Sequence, residues 1–455
     1  MDANNKPLSQ RNFALGVVNG TFWMLARALN DPETILPAFA VALMGPNPLW
    51  VGILVSLVTA GWFWTPIVFS PVLSTRQRRH PFYQASAAVR IVTMAAIYLT
   101  VRFLAQGSPA TAFWTIALCY LLYTSAGGMG LIPFMSVITD SVPANRRGAF
   151  FGMRYLFGGL LAFGAGFWIK WLLSEESGIG FPDDYALMFG VAAIVAAVSL
   201  SVFCFAREPR HKVETRRLPV WIQLVRGFRR ARREPHFQRM LAARVTYAAA
   251  AGLVFPFLVP YGFKHLGMTE AMVGVLVGVR MLSYSSSNIL WIYLSDRIGN
   301  RFLLVVSGWL LVGAVMLVAL IQMVPAAHVG TMLGLSFDAR LALLLVVFAA
   351  SGAAASGQQL GHMSYMLEFT PERARAVYIA TYYLVLLPVA FMPLVTALLI
   401  GAGGRYALAF AIGGMIAIAT LALDLSLRRL RPQPRLAARA ERREARNGTR
   451  HRPVS

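Results

Sequence analysis

Long apolar segments alternate with short polar ones along almost the whole chain. A helix that crosses a bilayer needs about 20 mostly apolar residues, and in hydrocarbon every backbone amide must pair within the protein. The apolar runs are continuous rather than alternating in polarity, which favours helices over barrel strands. The pattern therefore predicts an all-α integral membrane protein with twelve transmembrane helices, at residues 13–44, 49–71, 82–104, 110–139, 149–173, 185–205, 238–262, 271–295, 302–324, 339–367, 376–400 and 405–427.

The second half of this pattern repeats the first. Residues 51–55 read VGILV, and residues 273–277, 222 positions later, read VGVLV. Residues 140–143 (DSVP) correspond in the same way to residues 368–371 (EFTP), at a spacing of 228. An internal repeat of half the chain is typical of secondary transporters, which bind substrate at the interface between the repeats. We therefore expect two six-helix bundles packed around a shared axis.

The polar segments between the helices set the expected domain boundaries. Within the central linker, the helical spacing of Trp221, Leu224, Val225 and Phe228 predicts an amphipathic helix in the membrane interface. The alternative is a solvated basic linker. We predict four parts: an amino-terminal bundle at 1–205, a linker at 206–236, a carboxy-terminal bundle at 237–427 and a basic tail at 428–455.

The composition argues for a membrane protein and against an ordinary soluble one. The chain is 57% hydrophobic and 13% charged, whereas soluble domains carry about 25% charged residues. The net charge of +23 comes mainly from arginines on alternate loops and in the tail, which predicts that those loops and both termini are cytoplasmic. It also predicts contact with anionic lipids at that face and no binding to nucleic acid. We expect a monomer in a bacterial type of inner membrane.

The loop between the eighth and ninth predicted helices carries a family signature. Residues 296–301 read DRIGNR, which resembles the Asp-Arg-x-Gly-x-Arg motif of the major facilitator superfamily. The twelve helices, the repeat and the long central linker extend the resemblance over the whole chain. The resemblance implies two six-helix bundles that work by alternating access. We also expect a cytoplasmic gate formed by Asp296, Arg297, Gly299, Arg301, Arg147 and Arg375.

The equivalent loop in the first half departs from the family pattern. Ser74 stands where the repeat places the acid, although Arg76 and other basic residues follow it. In the family the aspartate docks against the start of a helix in the opposite bundle, where the helix dipole favours an anion. If this contact is carried over to the present chain, Asp296 would dock near residues 148–152. We name this contact the latch, and it would be asymmetric because the first half lacks the acid. The alternative is that Asp296 only caps a tight turn.

The first predicted helix contains Asp31-Pro32-Glu33 near its middle. An ionised side chain near the bilayer centre costs roughly 2.5–3.5 kcal/mol, so such residues point to function. Two carboxylates close together in a low-dielectric site are candidates for proton coupling or for binding a cationic group. Arg27, one turn earlier, leaves open a structural ion pair with Asp31. A late helix start would instead make Asp31 a cap.

The eighth predicted helix has a polar face that contains Arg280, Tyr284 and Asn288. A rise of 1.5 Å per residue places Arg280 about 15 Å deep in the membrane. A buried guanidinium suits a carboxylate or phosphate group of a substrate. The alternative is an internal bridge from Arg280 to Asp31 or Glu33. Further candidate substrate contacts in the tenth helix are Gln358, Gln359 and His362.

These features predict a secondary transporter for a small organic solute. Asp31 or Glu33 would provide proton linkage, and Arg280 favours an anionic or zwitterionic solute. One alternative is a multidrug or metabolite efflux pump whose acids bind cations, and another is a non-transporting scaffold or sensor. The sequence contains no P-loop, metal-ligand cluster or nucleophile elbow. We therefore expect no enzyme activity, no metal and no cofactor.

Overall fold

The computed structural model describes residues 6–74, 76–143, 146–208, 222, 225, 227–229, 232–332, 334–370, 375–401 and 403–428. The helices of the first half are α1 (Lys6–Ala28), α2 (Ile35–Met44), α3 (Pro48–Ser74), α4 (His80–Leu104), α5 (Pro109–Ser141), α6 (Arg147–Leu172) and α7 (Asp183–Cys204). Those of the second half are α8 (Pro235–Val254), α9 (Leu258–His265), α10 (Glu270–Arg297), α11 (Asn300–Ile321), α12 (Ala339–Phe369), α13 (Arg375–Leu386), α14 (Met392–Ile400) and α15 (Tyr406–Ser426). An antiparallel hairpin between α11 and α12 consists of β1 (His328–Met332) and β2 (Leu335–Asp338).

Three of the predicted membrane segments are interrupted by a break. The pair α1 and α2 forms the first segment, α8 and α9 form the seventh, and α13 and α14 form the eleventh. The breaks contain Pro32, Pro256 and Pro388. Proline lacks an amide hydrogen and its ring clashes with the preceding turn, so it interrupts a helix at these points.

The repeat in the sequence is matched by a repeat in the backbone. Gly45 follows α2 and Gly267 follows α9, and their φ angles are +82° and +63°. A residue with a Cβ atom rarely adopts such angles, so glycine is what allows the chain to turn here. The first broken segment of each half therefore ends in a glycine turn of the same hand, at equivalent positions of the repeat.

Among the described residues, ten helical segments are long and apolar enough to cross a membrane. The two remaining segments of the predicted twelve are the first, which is α1 with α2, and the eighth, which is α10. The break limits α2 to ten residues, and α10 carries Arg280, residues 285–287 (SSS) and Asn288 within its length. The first segment falls short because the break separates the more polar α1 from the short, apolar α2, and the eighth falls short because of its polar face.

The helices pack as two groups, one from each half of the chain. In the first half, α1 packs against α6 and α7, while α4 packs against α5 and α7. In the second half, α12 packs against α10 and α11, while α15 packs against α8 and α11. The groups meet along two seams, one between α6 and α10 and one between α3 and the pair α13 and α14. The all-α fold with two six-helix bundles is confirmed.

Both seams are closely packed towards the end of the bundles that carries the β1–β2 hairpin, which we name the hairpin end. A Cβ atom at Gly166 in α6 would lie 2.7 Å from the carbonyl oxygen of Gly274 in α10. A Cβ atom at Gly52 in α3 would lie 2.6 Å from the Cβ atom of Ala397 in α14. Small residues therefore allow the two bundles to approach at backbone distance, as is common between membrane helices.

The opposite end of the bundles carries the loop at 296–301, and along α6 it is less closely packed. We name it the signature-loop end. A Cβ atom at Gly148 or at Gly152, in the first turns of α6, would meet no neighbouring atom within 4 Å. The bundles are thus in backbone contact at the hairpin end, while the start of α6 is left without such contact.

Some of the sequence predictions concern residues that the structure does not describe. Trp221 and Leu224 of the predicted interfacial helix, and the tail from residue 429 onward, lie outside the described residues. The domain boundaries therefore stay predictions. The short hairpin was not expected from the sequence, and in it Gly330 pairs with Phe337.

Gly166→Ala is expected to destabilise the seam between α6 and α10, because the added methyl group would meet the backbone of Gly274 and Gly278 at 2.7 Å. Overpacking of this kind costs about 1–3 kcal/mol. Gly164→Ala in the same helix is the matched control, since its Cβ position meets no atom within 4 Å. Thermal unfolding in detergent checks the prediction. Equal Tm values for the two variants would contradict a closely packed seam.

Candidate functional site

Arg280, Asp31 and Glu33 form a buried ion-pair cluster that connects α10 with the break between α1 and α2. Arg280 Nη1 forms an ion pair with Asp31 Oδ1, and Arg280 Nη2 lies 2.6 Å from Glu33 Oε1. The Arg280 side chain is 2% exposed, that of Asp31 is fully buried and that of Glu33 is 21% exposed. This is the geometry of the internal bridge that the sequence left open beside a direct contact of Arg280 with substrate.

The interruption of the first helix positions the two carboxylates. Asp31 Oδ2 accepts hydrogen bonds from the Thr34 hydroxyl at 2.8 Å and from the Glu33 amide at 3.2 Å. The Asp31 carbonyl oxygen accepts a bond from the amide of Leu36 at 3.1 Å, within the first turn of α2. Because the backbone is not helical between Pro32 and Thr34, two acids that are close in sequence can both face one guanidinium.

Burial makes this pairing energetically necessary. Removing one partner of a buried ion pair costs about 3–5 kcal/mol, because the remaining charge has no compensation. The planar guanidinium offers its N–H donors in a fork that suits two carboxylates at once. Arg280 Nε and Glu33 Oε2 are buried and have no hydrogen-bond partner. Each retains the capacity for one further bond.

Arg27 does not form the ion pair with Asp31 that the sequence left open. Its guanidinium lies 4.6 Å from the centroid of the Tyr284 ring, a distance at which a cation–π contact forms. The Tyr284 hydroxyl donates to Gln359 Oε1 at 3.2 Å, and the ring of Tyr155 lies 6.1 Å from that of Tyr284. Arg27 of the first bundle therefore rests against an aromatic residue of the second.

Arg244 in α8, in the second bundle, is linked to the cluster through Tyr247 of the same helix. Its guanidinium lies 5.3 Å from the centroid of the Tyr247 ring, and its Nε atom is buried without a partner. Tyr247 is within electrostatic range of Glu33 and Arg280. Arg27 and Arg244 thus approach the ion-pair cluster from opposite bundles.

Three of the predicted substrate contacts make hydrogen bonds inside the carboxy-terminal bundle. Gln358 Nε2 donates to Asp424 Oδ2 at 3.0 Å, and Asn288 Nδ2 donates to Ser356 Oγ at 2.9 Å. His362 Nδ1 lies 2.9 Å from the carbonyl oxygen of Gln358. These hydrogen bonds run within that bundle rather than to the ion-pair cluster. Of the predicted set, the structure brings Arg280, Tyr284 and Gln359 together with the acids and Arg27.

The predicted docking of Asp296 near residues 148–152 is not formed in this conformation. Asp296 is exposed and has no hydrogen bond or ion pair within the described part of the chain. The positions of Gly148 and Gly152, where it would dock, have no close neighbour. The latch therefore stays a prediction for a different arrangement of the bundles.

The other predicted gate residues lie at the signature-loop end and make local contacts. Arg147 and Arg301 each donate to a backbone carbonyl of their own bundle at 2.7 Å. Arg297 lies 5.6 Å from the centroid of a tyrosine ring in the same helix. Gly299 has a φ angle of +106°, which explains the glycine in this turn. The side chain of Arg375 lies outside the described residues.

Two charged residues within membrane helices, the partly buried Arg154 and the buried Asp424, were missed by the sequence reasoning. Arg154 in α6 donates to the Gly16 carbonyl at 2.6 Å and to Asn19 Oδ1 at 3.3 Å. Asp424 in α15 is fully buried and its described partner is Gln358. Each lies near one end of an apolar helix, where a charge is readily taken for part of a polar loop. In each case the sequence offered one signal, which was a charged residue within an otherwise apolar run.

The family model of the Major Facilitator Superfamily matches residues 11–321 and, in a second match, residues 240–454. The chain belongs to the Major Facilitator Superfamily. The resemblance seen in the loop at 296–301 is thereby confirmed. No curated protein matches this superfamily member.

Solved structures of other transporters share the fold. A bacterial homologue of the iron transporter ferroportin in an outward-facing state aligns with a TM-score of 0.62 and 14% identity, over 92% of this chain and 99% of that one. A D-xylose-proton symporter aligns with a TM-score of 0.62 and 13% identity, over 92% and 97%. The xylose transporter XylE from E. coli, partially occluded and inward open, gives 0.61 and 12%, over 91% and 98%. This superfamily member is therefore a multi-pass membrane protein with a transporter fold.

Arg280→Gln is expected to destabilise the protein by about 3–5 kcal/mol near neutral pH, because the buried Asp31 and the partly exposed Glu33 lose their partner. The loss should shrink as the pH falls, since protonation removes the uncompensated charges. The triple variant Arg280→Gln/Asp31→Asn/Glu33→Gln should recover most of the stability. Thermal unfolding in detergent as a function of pH measures all three effects.

The control for this experiment is Arg102→Gln, which removes the ion pair of Arg102 with Asp183. That pair has an N–O distance of 2.6 Å, but its side chains are 48% and 51% exposed. Exposed pairs contribute about 0–1 kcal/mol. An equal loss of stability in Arg102→Gln and Arg280→Gln would contradict a special role for the buried cluster.

Proposed function

We propose that this protein is a secondary active transporter that moves a small organic solute across a cell membrane by alternating access, with proton linkage. The observation that carries the proposal is the ion-pair cluster. Two carboxylates of the first bundle share one guanidinium of the second, at a contact between the halves of a superfamily member. Substrate and coupling sites of such transporters lie at this kind of interface, near the middle of the membrane.

Proton linkage is supported by the difference between the two acids. Asp31 is fully buried and held by Thr34, whereas Glu33 is partly exposed and has one oxygen without a partner. We propose that Asp31 anchors Arg280 and that Glu33 takes up the proton. A proton on Glu33 removes its charge and weakens its bond to Arg280. The proton then shifts the equilibrium towards the arrangement in which these groups are apart.

Alternating access is supported by the unequal packing of the two ends. The bundles touch at backbone distance at the hairpin end, where the amide of Leu394 also donates to the hydroxyl of Ser56 at 3.1 Å. A rocking motion that opened this end would bring Asp296 towards residues 148–152. We propose that the signature-loop end and both termini are cytoplasmic, because the basic loops lie on that side.

The efflux alternative, in which the acids bind a cationic drug, has less support. Both carboxylates already share Arg280, so a cation would have to displace a buried and well-oriented guanidinium. The Arg280 bridge therefore favours coupling by protons over recognition of cations.

Glu33→Gln is expected to abolish solute accumulation driven by a pH gradient while solute exchange without a gradient is retained, because the proton site is lost and the solute site is not. Proteoliposomes with a panel of organic anions, cations, sugars and amphipathic drugs provide the measurement. Asp183→Asn, which changes an exposed acid of the same chain, is the control and should retain both activities. Normal gradient-driven accumulation by Glu33→Gln would rule out this role of Glu33.

A disulfide between Ser56→Cys and Leu394→Cys is expected to stop transport, because it holds the hairpin end closed. The measurement is exchange in proteoliposomes before and after oxidation, and reduction should restore it. Cys119 and Cys204 are first replaced by serine to remove the free thiols. The single Ser56→Cys variant, which cannot form this cross-link, is the control. Undiminished exchange by the cross-linked protein would contradict alternating access at this seam.

A further inference from the structure

Two arginines without a carboxylate partner lie near the ion-pair cluster. Arg27 and Arg244 form no ion pair with any acid in the described part of the chain. Their guanidinium carbons lie instead 4.6 and 5.3 Å from the centroids of aromatic rings. The membrane-embedded seam therefore carries positive charge that the described residues of the chain do not neutralise.

Packing alone does not account for these arginines. A cation–π contact contributes about 0.5–2 kcal/mol, which offsets only part of the roughly 2.5–3.5 kcal/mol that a charge costs near the bilayer centre. Neutral side chains would fill the same space without that cost. Unneutralised positive charge in a low-dielectric interior concentrates anions. These arginines therefore remain able to pair with an anion that is not among the described residues.

Arg27 and Arg244 are placed to contact such an anion directly. Arg27 belongs to the first bundle and lies within electrostatic range of Glu33. Arg244 belongs to the second bundle and contacts Tyr247, which is itself within electrostatic range of Glu33 and Arg280. Both arginines are only partly buried, and the Nε atom of Arg244 has no partner. An anion between the bundles can therefore meet a donor from each of them.

Arg280 is not available for the same task in this arrangement. Both of its terminal nitrogens are occupied by the carboxylates of Asp31 and Glu33. Recognition of an anionic group therefore passes from Arg280, which the sequence suggested, to Arg27 and Arg244.

The balance of charge at the seam favours a solute with two negative charges. With the proposed proton on Glu33, the cluster of Arg280, Asp31 and Glu33 is neutral, and Arg27 and Arg244 leave a surplus of two positive charges. Arg154 donates to neutral oxygens of α1 inside the first bundle, so it is not counted at the seam. A dianion brings the seam to neutrality, whereas a monoanion leaves one buried charge without compensation.

We propose that the transported solute is an organic dianion that bridges Arg27 and Arg244, while Arg280 remains on its two acids. This inference rests on the proposed transport function and names the substrate class of the same site. Carboxylate and phosphate groups both accept the paired donors of a guanidinium. A solute with an anionic group on each arginine draws the two bundles together around itself, which is what an occluded state requires.

The first test is thermal unfolding of the purified full chain in detergent at constant ionic strength. The probes are matched pairs, succinate against butyrate and phthalate against benzoate, with glycerol phosphate as the phosphate-bearing dianion. Xylose and tetraphenylphosphonium represent neutral and cationic solutes. Dianions are expected to raise Tm by several degrees, and their monoanionic partners at the same concentration are expected to leave it unchanged. Comparison of glycerol phosphate with succinate and phthalate shows whether a phosphate or a carboxylate group is recognised.

Variants then assign the contact. Arg27→Gln and Arg244→Gln should each weaken binding of the stabilising dianion by about tenfold to a hundredfold, the range for a hydrogen bond to a charged group. Arg27→Lys and Arg244→Lys keep the charge and should retain part of the affinity, which keeps the test valid if a Gln variant is unstable. Arg102→Gln, on an exposed pair, should bind as the unmodified chain does.

Several results would overturn the inference. Equal stabilisation by monoanions and dianions would remove the argument from charge balance. Stabilisation only by xylose or tetraphenylphosphonium, or undiminished dianion binding in both Gln variants, would remove the assigned site. In these cases exchange of some other solute would leave the transport function standing. Absence of exchange for every solute would instead reject the transport function, and with it the dianion.

Discussion

In a low-dielectric interior, a guanidinium and two carboxylates are tolerated only while they stay together, and this constraint organises the centre of the molecule. Arg280 comes from one bundle, and Asp31 and Glu33 come from the other. Separating them in place would leave buried charges without partners, at a cost of several kcal/mol. Any arrangement that opens the seam must therefore supply something in exchange, such as a proton, water or an anion. The ion-pair cluster therefore stabilises the arrangement in which the two bundles are in contact here.

The backbone around this cluster follows from the same constraint. An unbroken helix would carry neighbouring acids to different faces, so the break at Pro32 is what lets both acids meet one partner. At the hairpin end the seam is made instead by small residues, with Gly166 against Gly274 at backbone distance. One part of the interface is thus held by charge and the other by close packing. The two parts of the interface therefore depend on different physical interactions.

The arginines around the cluster give the seam an electrostatic character that the acids alone would not. Arg27 and Arg244 rest on aromatic rings rather than on carboxylates. Aromatic faces hold a guanidinium in place while its positive charge remains available to a ligand. Arg27 belongs to the first membrane segment and Arg280 to the eighth, the two segments that are least typical of a membrane helix.

The sequence by itself determined the number of membrane segments, the repeat and the family, because hydrophobic length, periodicity and the 296–301 loop are local properties. It also singled out Asp31, Glu33 and Arg280, since a charge within an apolar run is visible without a structure. Only the tertiary structure decided which partners these residues have. The pairing across 249 residues, the turn of Gln358 towards Asp424 and the stacking of Arg27 depend on how helices rotate against each other. Spacing along one helix defines a face, but the neighbour of that face is chosen by packing between distant segments.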